Sequence, residues 1–153
     1  MAVFLIIGRI GPWVKPEGTT NAQVGDKKIS VDYYTLEDIE KVVKATGVKP
    51  TLVSTGVKAY IPKGMYLEVV LRSSCPLKYW LIMANSVGII DGDYVDNPKN
   101  EGEIFLQLIN LSPVPIMLKK GDIIGQGIFK EFGRTDDDIT VNKRIGGFGS
   151  TNA

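Results

Sequence analysis

The chain has 153 residues with 18 basic and 17 acidic side chains, and its formal charge of +1 gives no electrostatic argument for a nucleic acid or membrane partner. It contains no histidine and one cysteine, which excludes Ser/His/Asp and Cys/His nucleophile systems, His-ligated metals, thiolate zinc and an intramolecular disulfide. Carboxylate, hydroxyl, Lys and Arg chemistry remains, with a hard, oxygen-loving cation such as Mg²⁺ as the metal that suits it.

In chain order, the opening MAVFLIIG has an apolar run too short to span a bilayer and lacks a basic leader region and cleavage site. It predicts a buried strand, and nothing in it directs the chain out of the cytoplasm. TLEDIEKVVKATG, from Thr35 to Gly47, predicts a helix over 36–46. Thr35 and Asp38 resemble a capping box, Leu36, Ile39 and Val43 recur at helical spacing, and Gly47 suits a C-terminal cap. The piece KVVKAT fits a sheet equally well.

Further on, the pattern is all-β. VKAYI, YLEVVLR, YWLIMA, GEIFLQLIN, VPIML and DIIGQGIFKEF read as strands, separated by turn signals such as PKG, SPVP and KKGD. Several alternate apolar and polar residues, as a sheet with one solvated face requires. Residues 1–132 therefore predict one β domain. From 133 to 153 the chain turns polar and glycine-rich; its composition fits a disordered tail and a flexible arm equally, and fully extended it would reach some 60 to 70 Å at ~3.3 Å per residue. No G-x-x-x-x-G-K-[ST] phosphate loop is present, and GQGIFK lacks the third glycine of a dinucleotide fingerprint.

Taken singly, the polar clusters are ordinary. Asp91-Gly92 is a favoured hairpin dipeptide, Arg72-Ser73-Ser74 reads as an exposed Arg with two strand-end hydroxyls, and Asp136 to Asp138 as a solvated loop. Cys75 has no visible basic partner to activate it and reads as an apolar filler.

Their order changes the reading. LRSS, then NSVGIIDGDY with EGEIFLQLIN, then KKGDIIGQ, then RIGGFGST resembles the homotrimeric dUTPase family, four of whose motifs occur here in family order from about Ser54 to Thr151. The resemblance implies a jelly-roll-like β-sandwich that assembles as a homotrimer, with active sites at subunit interfaces and the C-terminal arm of one subunit closing a neighbour's site. It implies hydrolysis of dUTP to dUMP and pyrophosphate with Mg²⁺.

Carried over by position, Asp91 matches the carboxylate that activates the attacking water. Tyr94 matches the aromatic that packs on the deoxyribose and excludes a 2′-hydroxyl. Asn85, with the backbone through Gly88 and Ile90, matches the pocket for the uracil edge. Arg72, Ser73 and Ser74 match the phosphate-binding motif, and Gln126 an amide that contacts phosphate. In the arm, Arg144, Ser150 and Thr151 match residues that grip the terminal phosphates, Phe148 matches the ring that covers uracil, and Gly149 completes the substrate-binding set.

Two departures stand out. The family's A-G-Y-D-L motif is absent as such, and the best placement puts Asp32 of ISVDYYTLEDI at its Asp, where it would meet the hydrated metal through water. The arm reads R-I-G-G-F-G-S-T-N, one residue shorter before Gly-Gly than the commonest pattern, with Asn152 where Gly is usual. Among rival readings, a dCTP deaminase shares the fold but resembles this chain less, because its catalytic Glu falls where Gln107 stands. A dUTPase-fold regulatory protein that binds a protein partner under dUTP control is the other reading, with the N-terminal region as its contact surface.

Overall fold

The computed structural model describes residues 2–6, 18–33, 40–43, 49–138 and 146–148. Among them are β1 (Ala2–Ile6), β2 (Gly18–Val24), β3 (Lys27–Tyr33), β4 (Glu40–Val43), β5 (Thr51–Ser54), β6 (Val57–Tyr60), β7 (Met65–Leu71), α1 (Ser74–Tyr79), β8 (Leu81–Met83), β9 (Gly88–Ile90), β10 (Phe105–Asn110), β11 (Ile116–Lys119) and β12 (Ile123–Glu131). All strand pairs are antiparallel, in the orders β1-β12-β7-β9, β5-β10-β8, β11-β4 and β2-β3-β6.

The sandwich follows from period-2 burial. In β7, Met65, Leu67 and Val69 are buried while Tyr66, Glu68 and Val70 are half-exposed. In β10, Leu106 and Leu108 face inward while Phe105, Gln107 and Ile109 face the other way. The inward sets meet Val53, Leu81, Ile29, Val31 and Ala59, with Leu118 of β11, in one core that joins strands of all four sheets. The fold is thus the expected all-β sandwich. Leu106 is 0% exposed, so Leu106→Ala is expected to cost about 3 kcal/mol through lost transfer energy and the cavity left behind. Urea unfolding checks it.

Two local expectations are corrected. Instead of a helix over 36–46, Glu40–Val43 forms strand β4, paired along its length with Ile116–Lys119. An isolated helix of about three turns is marginal, and adjacent β-branched Val42 and Val43 take more readily to a ladder once a partner edge is offered. Residues 34–39 and 44–48 lie outside the described set.

Second, YWLIMA is strand only from Leu81 to Met83, because α1 occupies Ser74–Tyr79. Pro76 sits in the first turn, where no backbone donor is needed. Trp80, at φ 56°, closes the helix with its N–H donating to the Pro76 carbonyl at 3.1 Å. Cys75, on the inner face, is buried, and its thiol donates to the Ile124 carbonyl at 3.2 Å. Burial pushes that thiol's pKa up, in keeping with a filler rather than a nucleophile.

The strands flanking NSV are not paired with each other. β8 pairs with β10 and β9 with β7, so the turn hands the chain from one sheet to the other. Ser86 takes φ 62° to do it, and its N–H donates to the Met83 carbonyl at 3.1 Å. The opening segment is strand β1, as expected, and its side chains lie outside the described set.

Candidate active site

The sheet-to-sheet turn leaves a cleft of about 180 Å³ where β8, β9 and β10 approach one another. Its apolar walls are Val69, Met83, Ile90, Tyr94 and Phe105, and Asn85, Gln107 and Asp91 supply polar groups. That volume is below the ~300 Å³ typical of a whole small-molecule site. It suits a flat ring and a small attached group, with anything larger running out over the exposed Asp91.

Six of the sequence-predicted residues, Asn85, Gly88, Ile90, Asp91, Tyr94 and Phe148, line this one cleft. Their positions follow from local structure. β9 lays Gly88 and Ile90 along β7, opposite Val69 and Leu67. The chain then turns at Asp91-Gly92, with the Tyr94 N–H donating to the Asp91 carbonyl at 3.2 Å. This carries the Tyr94 ring back into the cleft, where the residue is only 6% exposed. Its hydroxyl donates to the Glu103 carbonyl at 2.7 Å and accepts from the Asn100 amide at 2.8 Å.

Gly88 shapes the cleft by what it omits. A Cβ there would lie 3.5 Å from Val69 Cβ and 3.6 Å from Met83 Cε, ordinary contact distances to two wall residues. Gly88→Ala is therefore expected to fold normally and to raise KM about tenfold by filling ligand space. Steady-state kinetics beside a melting curve separates the two effects.

The arm returns at the same place. Phe148, the predicted ring cover, lines the cleft with Gly147 and meets Phe105 edge-on, ring centroids 6.0 Å apart at 76°. A Cβ on Gly147 would come within 2.9 Å of Tyr94 Cε2, so glycine allows this close approach. Arg144, Gly149, Ser150 and Thr151 lie outside the described residues.

Arg72 and Ser73 do not line this cleft. With Ser86, Pro76 and the backs of β7 and β8 they line a second, more open groove of about 400 Å³, and Met83 borders both. The Arg72 backbone N–H is fixed by the Ile124 carbonyl at 2.9 Å, and its guanidinium donates to the Ile123 carbonyl at 3.4 Å. Ser74 opens α1 beside them. Gln126 lies half-buried on β12 between Phe4 and Val70 and lines neither space. Asp32 also lines neither. It is 8% exposed on β3, opposite Lys58, and accepts from the Thr19 hydroxyl at 2.7 Å. Among the described residues no group of three or more Cys, Asp or Glu side chains comes together to hold a metal, and no helix is long and apolar enough to cross a membrane.

Val69, Met83 and Phe105 were not singled out from sequence. Phe105 was within reach, since it shares the outward face of β10 with Gln107 two residues on. Val69 and Met83 enter only through strand pairing, which carries no local signal.

Known proteins resemble this chain along most of its length. A dUTPase family model matches residues 33–152, beginning one position after Asp32. The chain is 41% identical over 138 residues to a deoxyuridine 5'-triphosphate nucleotidohydrolase of Lactococcus lactis, covering 87% of this chain and 91% of that one. It is 35% identical to a protein of the same name from Desulfitobacterium hafniense, covering 89% and 85%. Among solved structures it resembles a dUTPase from Streptococcus mutans, with TM-score 0.61 and 33% identity over 87% of this chain and 98% of that one.

Proposed function

This chain belongs to the dUTPase family, and on that premise we propose that it hydrolyses dUTP to dUMP and pyrophosphate, with Asp91 as general base. The observation that carries the reading is the single cleft in which Asn85, Gly88, Ile90, Asp91, Tyr94 and Phe148 come together.

Each wall has a chemical task. Asn85 and the β9 backbone offer the donor and acceptor pattern that a uracil edge needs. A cytosine would leave polar groups unpaired there, at about 1 to 3 kcal/mol each. Tyr94 packs on the sugar, where a 2′-hydroxyl has no room. Phe148 covers the base. Asp91, at the exposed mouth, deprotonates a water aimed in line at the α-phosphorus. At the position of a deaminase's catalytic Glu the cleft presents Gln107, an amide that cannot shuttle a proton, which favours hydrolysis over deamination.

The phosphate groups Arg72, Ser73, Ser74 and Gln126 bind the triphosphate in this reading, Arg72 through its planar fork. Arg72 and Ser73 line a separate groove and Gln126 lines neither space, an arrangement that supports a site shared between subunits of a homotrimer. Within the single chain Gly147 and Phe148 meet the chain's own cleft; in the homotrimer the arm over 133–153, with Arg144, Gly149, Ser150 and Thr151, would pass instead to the equivalent cleft of a neighbouring subunit. Light scattering that returns the mass of one chain contradicts the assembly.

Mg²⁺ would arrive on the triphosphate and offset charge on the leaving pyrophosphate. The oxygen-only donor set suits an ion reached through water. Asp32 is the carboxylate proposed to meet it, in a site completed by a second subunit.

The test is pyrophosphate release from dUTP, dCTP, dTTP and UTP with Mg²⁺, with the nucleoside monophosphate identified. Release from dUTP alone, giving dUMP, is the expected result. Turnover of dCTP, or tight dUTP binding with no turnover, contradicts the proposal.

A further inference from the structure

We propose that Asn100 is a positioning residue for the sugar pocket: its side-chain amide locks the Tyr94 hydroxyl and so sets how strictly a 2′-hydroxyl is refused. The proposal rests on the reading that Tyr94 packs against the deoxyribose.

The loop after Tyr94 is built around that side chain. Asn97 Nδ2 donates to the Tyr94 carbonyl at 2.8 Å, and Asn100 Nδ2 donates to its hydroxyl at 2.8 Å. Both ends of one residue are thus held by amides three positions apart. The orientation of the Asn100 amide is itself dictated. Its Oδ1 accepts from Asn97 Nδ2 at 2.6 Å and from the Gly102 N–H at 3.2 Å, so only Nδ2 remains to face the phenol. With its oxygen accepting from Asn100, the phenol directs its own proton to the Glu103 carbonyl at 2.7 Å.

That carbonyl stands on a fixed strap. The Glu103 side chain is buried and accepts from the Ser54 hydroxyl and from the Gly56 N–H, which ties the strap to the β5–β6 turn. On another side, Gly147 approaches the Tyr94 ring edge. The ring is therefore pinned at its hydroxyl end, which fixes the face it turns to the cleft; releasing that end would let the ring tilt away from an added 2′-hydroxyl. Base recognition at Asn85 and Gly88 and water activation at Asp91 involve other atoms.

The experiment compares kcat/KM for dUTP and UTP in the parent, Asn100→Asp, Asn100→Ala, Tyr94→Phe and the Tyr94→Phe/Asn100→Asp double variant. Asn100→Asp keeps the acceptor that holds Asn97 and Gly102 but replaces the donor to Tyr94 by a carboxylate oxygen, so the phenol either loses this bond or turns its proton away from the Glu103 carbonyl; the ring's anchor changes while the melting temperature is expected to stay near the parent's. The expected result is a fall of about tenfold in the dUTP/UTP ratio for Asn100→Asp, arising from faster UTP turnover, with kcat for dUTP within about threefold. Tyr94→Phe lowers the ratio too, and the double variant lowers it no further than the larger single effect, since both act through one hydroxyl. A folded Asn100→Asp with the parent's ratio, or effects that multiply in the double variant, overturns the positioning role alone. A parent that does not turn over dUTP overturns the function proposed above and this role with it.

Discussion

Asp91→Asn is expected to lower kcat for dUTP by about 10²- to 10⁴-fold, the usual contribution of a positioned general base, with KM and thermal stability close to the parent's. Asparagine keeps the size of aspartate, and the turn that places it depends on the backbone, whose Asp91 carbonyl accepts from the Tyr94 N–H. The amide loses the ability to take a proton from water. Residue 91 is exposed at the mouth of the cleft, so no packing is lost. Stopped-flow pyrophosphate release checks the prediction. A drop confined to KM would mean that Asp91 binds substrate rather than activating water.

Gly102→Ala is expected to be the most damaging single-methyl change near the site. Gly102 sits at φ 83°, and a Cβ there would lie 2.6 Å from Val95 Cα, 2.8 Å from Asp96 N and 3.0 Å from Tyr94 O. All three are backbone atoms, which cannot rotate away. The left-handed conformation costs about 1 to 2 kcal/mol for alanine, and overpacking typically adds about 1 to 3. A total near 3 kcal/mol lowers Tm by roughly 6 to 12 °C in a chain of this size. Because the clash pushes on the backbone of Tyr94 to Asp96, discrimination against UTP is expected to fall along with stability. Calorimetry beside the dUTP/UTP ratio checks both, and an unchanged Tm would show that the loop can move aside as a unit.

The parts of the fold legible in sequence are those where burial repeats every second residue. β7, β10 and β12 were visible because Met65, Leu67 and Val69, or Leu106 and Leu108, fall on one face. β2 and β3 were not, because in GTTNAQV and KKISVDY the buried apolar positions described are only Ala22, Ile29 and Val31. Their hairpin is held instead by a continuous ladder from Gly18↔Tyr33 to Val24↔Lys27 around Gly25 at φ 59°. α1 was hidden because Tyr79, Trp80 and Leu81 look like a strand start, although Pro76 in the first turn was a readable helix signal. β4 was left open between helix and sheet because Leu36, Ile39 and Val43 match a helical period while the partner edge in β11 is more than seventy residues away.

The site divides along the same line. Asn85, Gly88, Ile90, Asp91 and Tyr94 lie within ten consecutive residues, so a single stretch announced them. Val69, Met83 and Phe105 come from separate strands, and only their pairing brings them to the cleft. The sequence NPKNEGE was readable as a turn from Asn-Pro and Gly. That Asn100 meets the Tyr94 hydroxyl depends on how the loop folds back.

The most direct test of the central claim, attack of an Asp91-activated water on the α-phosphorus of dUTP, is a single turnover in H₂¹⁸O followed by mass spectrometry of both products. The account predicts one ¹⁸O in dUMP and none in pyrophosphate. Label in pyrophosphate would place the attack on the β-phosphorus and contradict it.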